Sequence, residues 1–126
     1  MPFYPNNAVV WTEIPVTDLA AAQTFYETVL DTRMQLNTSG PAPMVDFKTD
    51  SAANGVAGHL LQGTPAPRGT GPTIHLAIPG RVEDAMARCQ AAGGTVTSPV
   101  IEIPPGRFAY AQDPDGNRIG LFEPAR

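Results

Sequence analysis

VVWTEIPVTDLAAAQTFYETVL, residues 9–30, changes its period halfway along. Over 9–16 the side chains alternate, with Trp11 and Glu13 on one face and Thr12 and Ile14 on the other, which predicts a β-strand ended at Pro15. Thr17 and Asp18 are residues that start helices. Beyond them Leu19, Ala22, Phe25, Tyr26, Val29 and Leu30 recur at spacings of three and four, giving one apolar face on a helix of about three turns. RMQLNTSG (33–40) then predicts a strand running into a loop, and Gly40-Pro41-Ala42-Pro43 interrupts regular structure. MVDFK (44–48) and GVAGHLL (55–61) predict two more strands joined by the polar turn DSAANG. The order is β, α, then three β.

After a Gly/Pro-rich connector at 63–72 the order repeats. TIHLAI (73–78) predicts a strand ended by Pro79, and Val82, Ala85, Met86 and Cys89 form a helical stripe stopped by Gly93-Gly94. Strands follow at 95–98, 107–111 and 118–122, the last two joined by Asp113-Pro114-Asp115-Gly116, a sequence suited to a type I turn. Superposing Ile14-Pro15 on Ile78-Pro79 pairs Trp11 with His75 and Phe25 with Cys89. Later in each half the offset shortens by two, so that Gly58 falls on Gly120 and Leu60 on Phe122. The expectation is an α+β fold of two tandem βαβββ modules, residues 7–62 and 73–124. Each module is too small to bury its sheet alone, so the two must share a core or recruit another chain.

Composition narrows the function classes. The 126 residues suffice for one domain with a real core. Eight basic against twelve acidic residues, with no basic run, make nucleic acid an unsuitable partner. No signal-like N-terminus and no long apolar run is present, so neither export nor a membrane is expected. Cys89 is the single cysteine, which excludes an internal disulfide and suits a cytoplasmic setting.

The tandem βαβββ pattern, with VTDLAAAQTFYETVL on the first helix and DPDGNRIGLFE on the last strand, resembles the vicinal oxygen chelate superfamily. That group includes glyoxalase I, bleomycin-resistance proteins, fosfomycin-resistance enzymes and extradiol dioxygenases. The resemblance spans nearly the whole chain. It implies sheets curled into a cup, a small-molecule ligand or substrate, and a homodimer, since single-domain relatives pair modules between chains. It also implies four inward metal-ligand positions. The first-strand position, five residues before Val16, is Trp11, where His is usual. Its counterpart in the second module is His75, which matches. The last-strand carboxylate position, seven residues after Asp113, is Gly120, and by internal symmetry the fourth is Gly58. One imidazole cannot hold a divalent ion, so neither a metal nor another cofactor is expected.

Other readings attach to single residues. His75 and Glu13 are candidate acid/base groups, and each could equally be an ordinary hydrogen-bonded residue. Trp11 either packs in the core or stacks on a flat ligand, and Phe122, Gly58 and Gly120 border the same volume. Tyr110 and Arg107 alternate with different parity, so at most one of them faces the ligand. His59, beside Gly58, is expected on the opposite face, and Glu123 is expected at a solvated strand end. Cys89 is expected in the core. The functional expectation is a glyoxalase-related, metal-independent enzyme acting on a carbonyl compound through Glu13 or His75. The alternatives are a protein that sequesters a drug or aromatic metabolite, a metal-dependent lyase or dioxygenase if the strand register differs and Glu13, His59 or Glu123 supplies ligands, and a dimerisation domain with an empty cup.

Overall fold

The computed structural model describes residues 2–50 and 55–125. Module one comprises β1 (Trp11–Val16), α1 (Leu19–Leu30), β2 (Gln35–Asn37), β3 (Met44–Asp46) and β4 (Ala57–Gln62). Most of the turn expected between β3 and β4 lies outside the described residues. Module two comprises β5 (Ile74–Ala77), α2 (Val82–Ala91), β6 (Thr95–Val96), β7 (Ile101–Ile103), β8 (Gly106–Gln112) and β9 (Arg118–Pro124). The sheets are β1-β4-β3-β2 and β5-β9-β8-β6, with the β1–β4 and β5–β9 pairs parallel and the rest antiparallel.

The sequence gives no separate signal for β7, which lies in the proline-rich stretch 99–105. It pairs with β8 along the edge that β6 also uses. The two are one strand position interrupted at Pro99, where the backbone lacks a donor. The Ser98 hydroxyl bridges the gap by accepting from the Tyr110 N–H at 2.8 Å. Module two therefore keeps the βαβββ plan with its second strand broken.

The helices start by different means. The Asp18 carboxylate caps α1 by accepting from the Ala21 N–H at 3.0 Å. Arg81 offers α2 no such side-chain cap. Glu123, arriving from β9, accepts from the Val82 N–H at 2.9 Å instead. Its negative charge suits the positive end of the helix.

The modules share a single core. Ile14, Val16, Phe25, Val29 and Leu60 of module one and Val82, Cys89, Ile119 and Leu121 of module two are buried in one continuous cluster. Burying a side chain of this size contributes about 1.5–3 kcal/mol. The DPDG turn supplies a polar clasp beside it. Asp113 is 1% exposed. It accepts from the Tyr26 hydroxyl at 2.7 Å, from Asn117 Nδ2 at 2.9 Å, and from the backbone N–H groups of Asp115 and Asn117. Asn117 Nδ2 also donates to the Pro15 carbonyl at 2.9 Å. Burial first, and the neighbouring Asp113 carboxylate second, push the Tyr26 phenol well above its ordinary pKa.

Candidate functional site

Alternation gives each sheet one face against the helices and one open face. On module two, Ala109, Ala111, Ile119 and Leu121 point to the core. The open face carries two rows fixed by the ladder. One is His75, Gly120 and Tyr110, and the next is Ala77, Phe122 and Phe108. The His75 ring lies edge-on to Phe108 at 5.0 Å between centroids, with Tyr110 at 5.8 Å and Phe122 at 6.0 Å. Phe108 and Phe122 stack at 6.0 Å. Partial burial lowers the His75 pKa, which favours the neutral imidazole.

Gly120 has a steric reason. A Cβ built there would lie 2.1 Å from His75 Nδ1. The imidazole lies across the place where a side chain at 120 would stand, so this His75 conformer and a carboxylate at 120 exclude one another.

On module one the cross-strand row is Glu13, His59, Asp46 and Gln35. The Trp11 indole N–H donates to His59 Nδ1 at 2.9 Å, and the two rings are tilted at 5.9 Å. Glu13 Oε2 lies 3.2 Å from His59 Nε2, outside hydrogen-bonding geometry. His59 is 5% exposed, whereas Trp11 is 49% exposed.

Two orientations expected from sequence are thereby corrected. His59 shares the face of Trp11 and Glu13, and Gly58 points to the helix side. A Cβ on Gly58 would lie 2.3 Å from the Thr12 carbonyl oxygen, and Thr12 shares its face with buried Ile14. The offset that aligns the loop-and-strand pairs of the two halves places Gly58 on Gly120, one residue out of the observed register. The ladder pairs Trp11 with Ala57 just as it pairs His75 with Gly120, so Ala57 is the counterpart of Gly120. The signal that could have found this is Leu60. If Leu60, completely buried, faces the core, strict alternation sends His59 to the other face. Asp46, which no motif marked, joins the row only through the β3–β4 register.

Arg107 is corrected as well. Tyr110 takes the open face, and Arg107, of opposite parity, pairs with Glu83 of α2 and with Glu123 at 3.0 Å. The hydrogen bond from Arg107 holds the Glu83 carboxyl down at about 2. Arg107 is thus a strut between the last two strands and the start of α2, and Glu123 works on that same side. Cys89 is fully buried, and desolvation pushes its thiol up to about 11, which suits packing and not nucleophilic chemistry.

Glu13 and His75, the two candidate acid/base groups, lie on different sheets, and the polar neighbour of Glu13 is His59. Trp11 and His75 do border a common space. A groove of about 1010 Å³ runs between the modules, lined by Trp11, Thr12, Phe47 and Ala57 on one side and by Ile74 and His75 on the other.

The divalent metal used by catalytic vicinal oxygen chelate proteins does not fit these residues. The paired first- and last-strand positions are Trp11, Ala57, His75 and Gly120, which offer one imidazole. Among the described residues no three His, Cys, Asp or Glu side chains converge on a metal-sized point.

Among solved structures the chain resembles a glyoxalase/bleomycin resistance protein from Albidiferax ferrireducens T118, at 22% identity and a TM-score of 0.73, over 94% of this chain and 100% of that one. A lactoylglutathione lyase from Agrobacterium tumefaciens aligns at 20% identity and a TM-score of 0.61, covering 94% and 95% of the two chains. TnmS3, an antibiotic binding protein from Streptomyces sp. CB03234, aligns at 25% identity and a TM-score of 0.59, covering 98% and 100%. No curated protein sequence matches the chain. The family model described as Glyoxalase/Bleomycin resistance protein/Dioxygenase superfamily matches residues 8–121, and the chain, with its two βαβββ modules, belongs to that superfamily.

Proposed function

We propose that the protein binds a small, flat organic molecule in the groove between its modules. The observation that carries this reading is His75, which lines the groove and is also the centre of the aromatic face formed with Phe108, Tyr110 and Phe122. Aromatic side chains give a flat ligand apolar area with defined edge and face geometry. Trp11 lines the same groove from module one. The likeness to an antibiotic binding protein agrees with sequestration of such a compound. In a homodimer, module one of one copy facing module two of the other would close the open faces on each other. A cytoplasmic setting agrees with the single buried thiol, and among the described residues no helix is long and apolar enough to cross a membrane.

Catalysis is the second reading, favoured by the position of the His75 imidazole on the groove wall. A neutral imidazole on the groove wall can take a proton from a carbonyl substrate at neutral pH without a metal.

Titration with the dye 8-anilinonaphthalene-1-sulfonate tests the binding reading. Saturable enhancement of dye emission is expected, weakened about tenfold in His75→Ala through loss of the aromatic contacts. Unsaturable binding, or an unchanged affinity in that variant, would refute it. Light scattering reads the dimer directly. A screen of α-carbonyl compounds for turnover abolished by His75→Ala separates the enzyme from the binder.

A further inference from the structure

The polar row of module one has no part in the groove reading. Two of its atoms are buried and make no hydrogen bond with any described protein group: His59 Nε2 and Asp46 Oδ1. Buried polar atoms without partners are uncommon in folded proteins and cost about 1–3 kcal/mol each, so they ask for a cause. The two residues are direct cross-strand partners on the open face.

Their hydrogen-bonding senses are fixed by their neighbours. His59 Nδ1 is an acceptor, because it receives the Trp11 indole N–H. The neutral ring then carries its proton on Nε2, which is a donor. Asp46 Oδ2 already accepts from Asn37 Nδ2 at 3.1 Å, leaving Oδ1 as an unfilled acceptor. Glu13, a second carboxylate, stands on the other side of His59 with Oε2 3.2 Å from Nε2. Across three adjacent strands the order is therefore acceptor, donor, acceptor. The Lys48 ammonium meets the far end of the row, where it donates to Gln35 Oε1 at 3.2 Å.

We propose that this row is a recognition site for a planar nitrogen heterocycle whose edge presents donor, acceptor and donor in turn, as a ring nitrogen between two amino groups does. Glu13 and Asp46 each take an amino N–H, and the His59 Nε2–H donates to the ring nitrogen. Trp11 keeps its indole N–H on His59 Nδ1, and the ring enters past the largely exposed Glu13 side chain to stack on the exposed part of the indole. The three side chains do not converge on a point that would hold a metal ion, which fits an edge contact better than coordination of a cation. Specificity follows from cost: a ligand without the matching edge leaves buried polar atoms unpaired.

The test is calorimetric titration with 2,6-diaminopyridine at a pH where it is neutral, with 2,6-dimethylpyridine as the control of the same shape that lacks the amino donors. Saturable binding of the diamine is expected, with a change in Trp11 fluorescence and a shift of the His59 imidazole ¹⁵N signals. The dimethyl compound should bind at least about tenfold more weakly, Asp46→Asn should weaken the diamine about tenfold, the effect of one lost buried hydrogen bond to a charged group, and Glu13→Ala should weaken it about threefold, because that carboxylate is largely exposed. Equal binding of the two compounds, absence of binding, or unaltered affinity in both variants would overturn the proposal and assign the row to ordered water. Dye binding in the groove is read by a separate signal, so either site can fail alone.

Discussion

The two modules share a plan and differ in what they do with the open face. Module two covers its face with His75, Phe108, Tyr110 and Phe122 in mutual ring contact. Module one presents Glu13, His59, Asp46 and Gln35 in a polar row under one indole. Each face holds one histidine, but at different register positions. His75 occupies the first strand and lies over a glycine, whereas His59 occupies the last strand and is covered by Trp11. Duplication of a backbone pattern thus leaves each copy free to take up its own chemistry, because the core needs only one face of each sheet.

The largest effect should come from breaking what joins the modules. Asp113→Ala removes a buried carboxylate with bonds to Tyr26, Asn117 and two backbone N–H groups. We expect a loss of about 3 kcal/mol or more, since several buried donors lose one acceptor together. Urea unfolding measures it. A loss under half of that value would mean that the shared apolar core alone holds the modules in place.

The glycines sharpen the comparison. A Cβ at Gly58 meets the Thr12 carbonyl oxygen, part of the paired backbone, whereas a Cβ at Gly120 meets the ring of His75. Backbone in a ladder cannot step aside, but a side chain can rotate. Gly58→Ala should therefore cost about 2–3 kcal/mol and Gly120→Ala about 1 kcal/mol, within the range for overpacking. The second variant should also displace His75 and change the groove, seen as weaker dye binding. Equal stability losses in thermal melts would show that His75 is held as rigidly as the backbone.

The smallest effect is the pH response of His75. Its folded pKa lies below the ordinary 6.5, with burial as the cause. As pH falls through 6.5 the unfolded chain takes up the proton first, so stability decreases with acidity across the window down to the lowered folded value. His75→Gln should flatten that part of the stability–pH curve. A wild-type curve of the same slope as the variant would remove His75 from the account.

Much of the architecture is written locally. The alternation at 11–16, the three-and-four spacing of Leu19, Ala22, Phe25, Tyr26 and Val29, and the repeat of both around Ile78-Pro79 predict two βαβββ modules, because strand and helix periods are properties of short segments. The placement of Cys89 in the core and the different facings of Tyr110 and Arg107 are legible on the same grounds, whereas the steric meaning of Gly120 depends on the His75 imidazole across the ladder. The break at Pro99 is not legible either, because β6 and β7 are strands only through their shared partner β8.

The candidate site was legible in part. Trp11, Glu13, His75 and Tyr110 lie on the open faces that alternation predicts. His59 is expected on the wrong face because aligning the loop-and-strand pairs of the two halves sets a register that differs by one residue from the one the ladders adopt. Sequence by itself determined the elements, their order and the parity within each strand, all of which depend on neighbours a few residues apart. Only the tertiary structure decided which strands lie side by side and in what register. That pairing brings Trp11 onto His59 across 48 positions and Tyr26 onto Asp113 across 87, since side chains so distant in the chain meet only after the ladders and the shared core have formed.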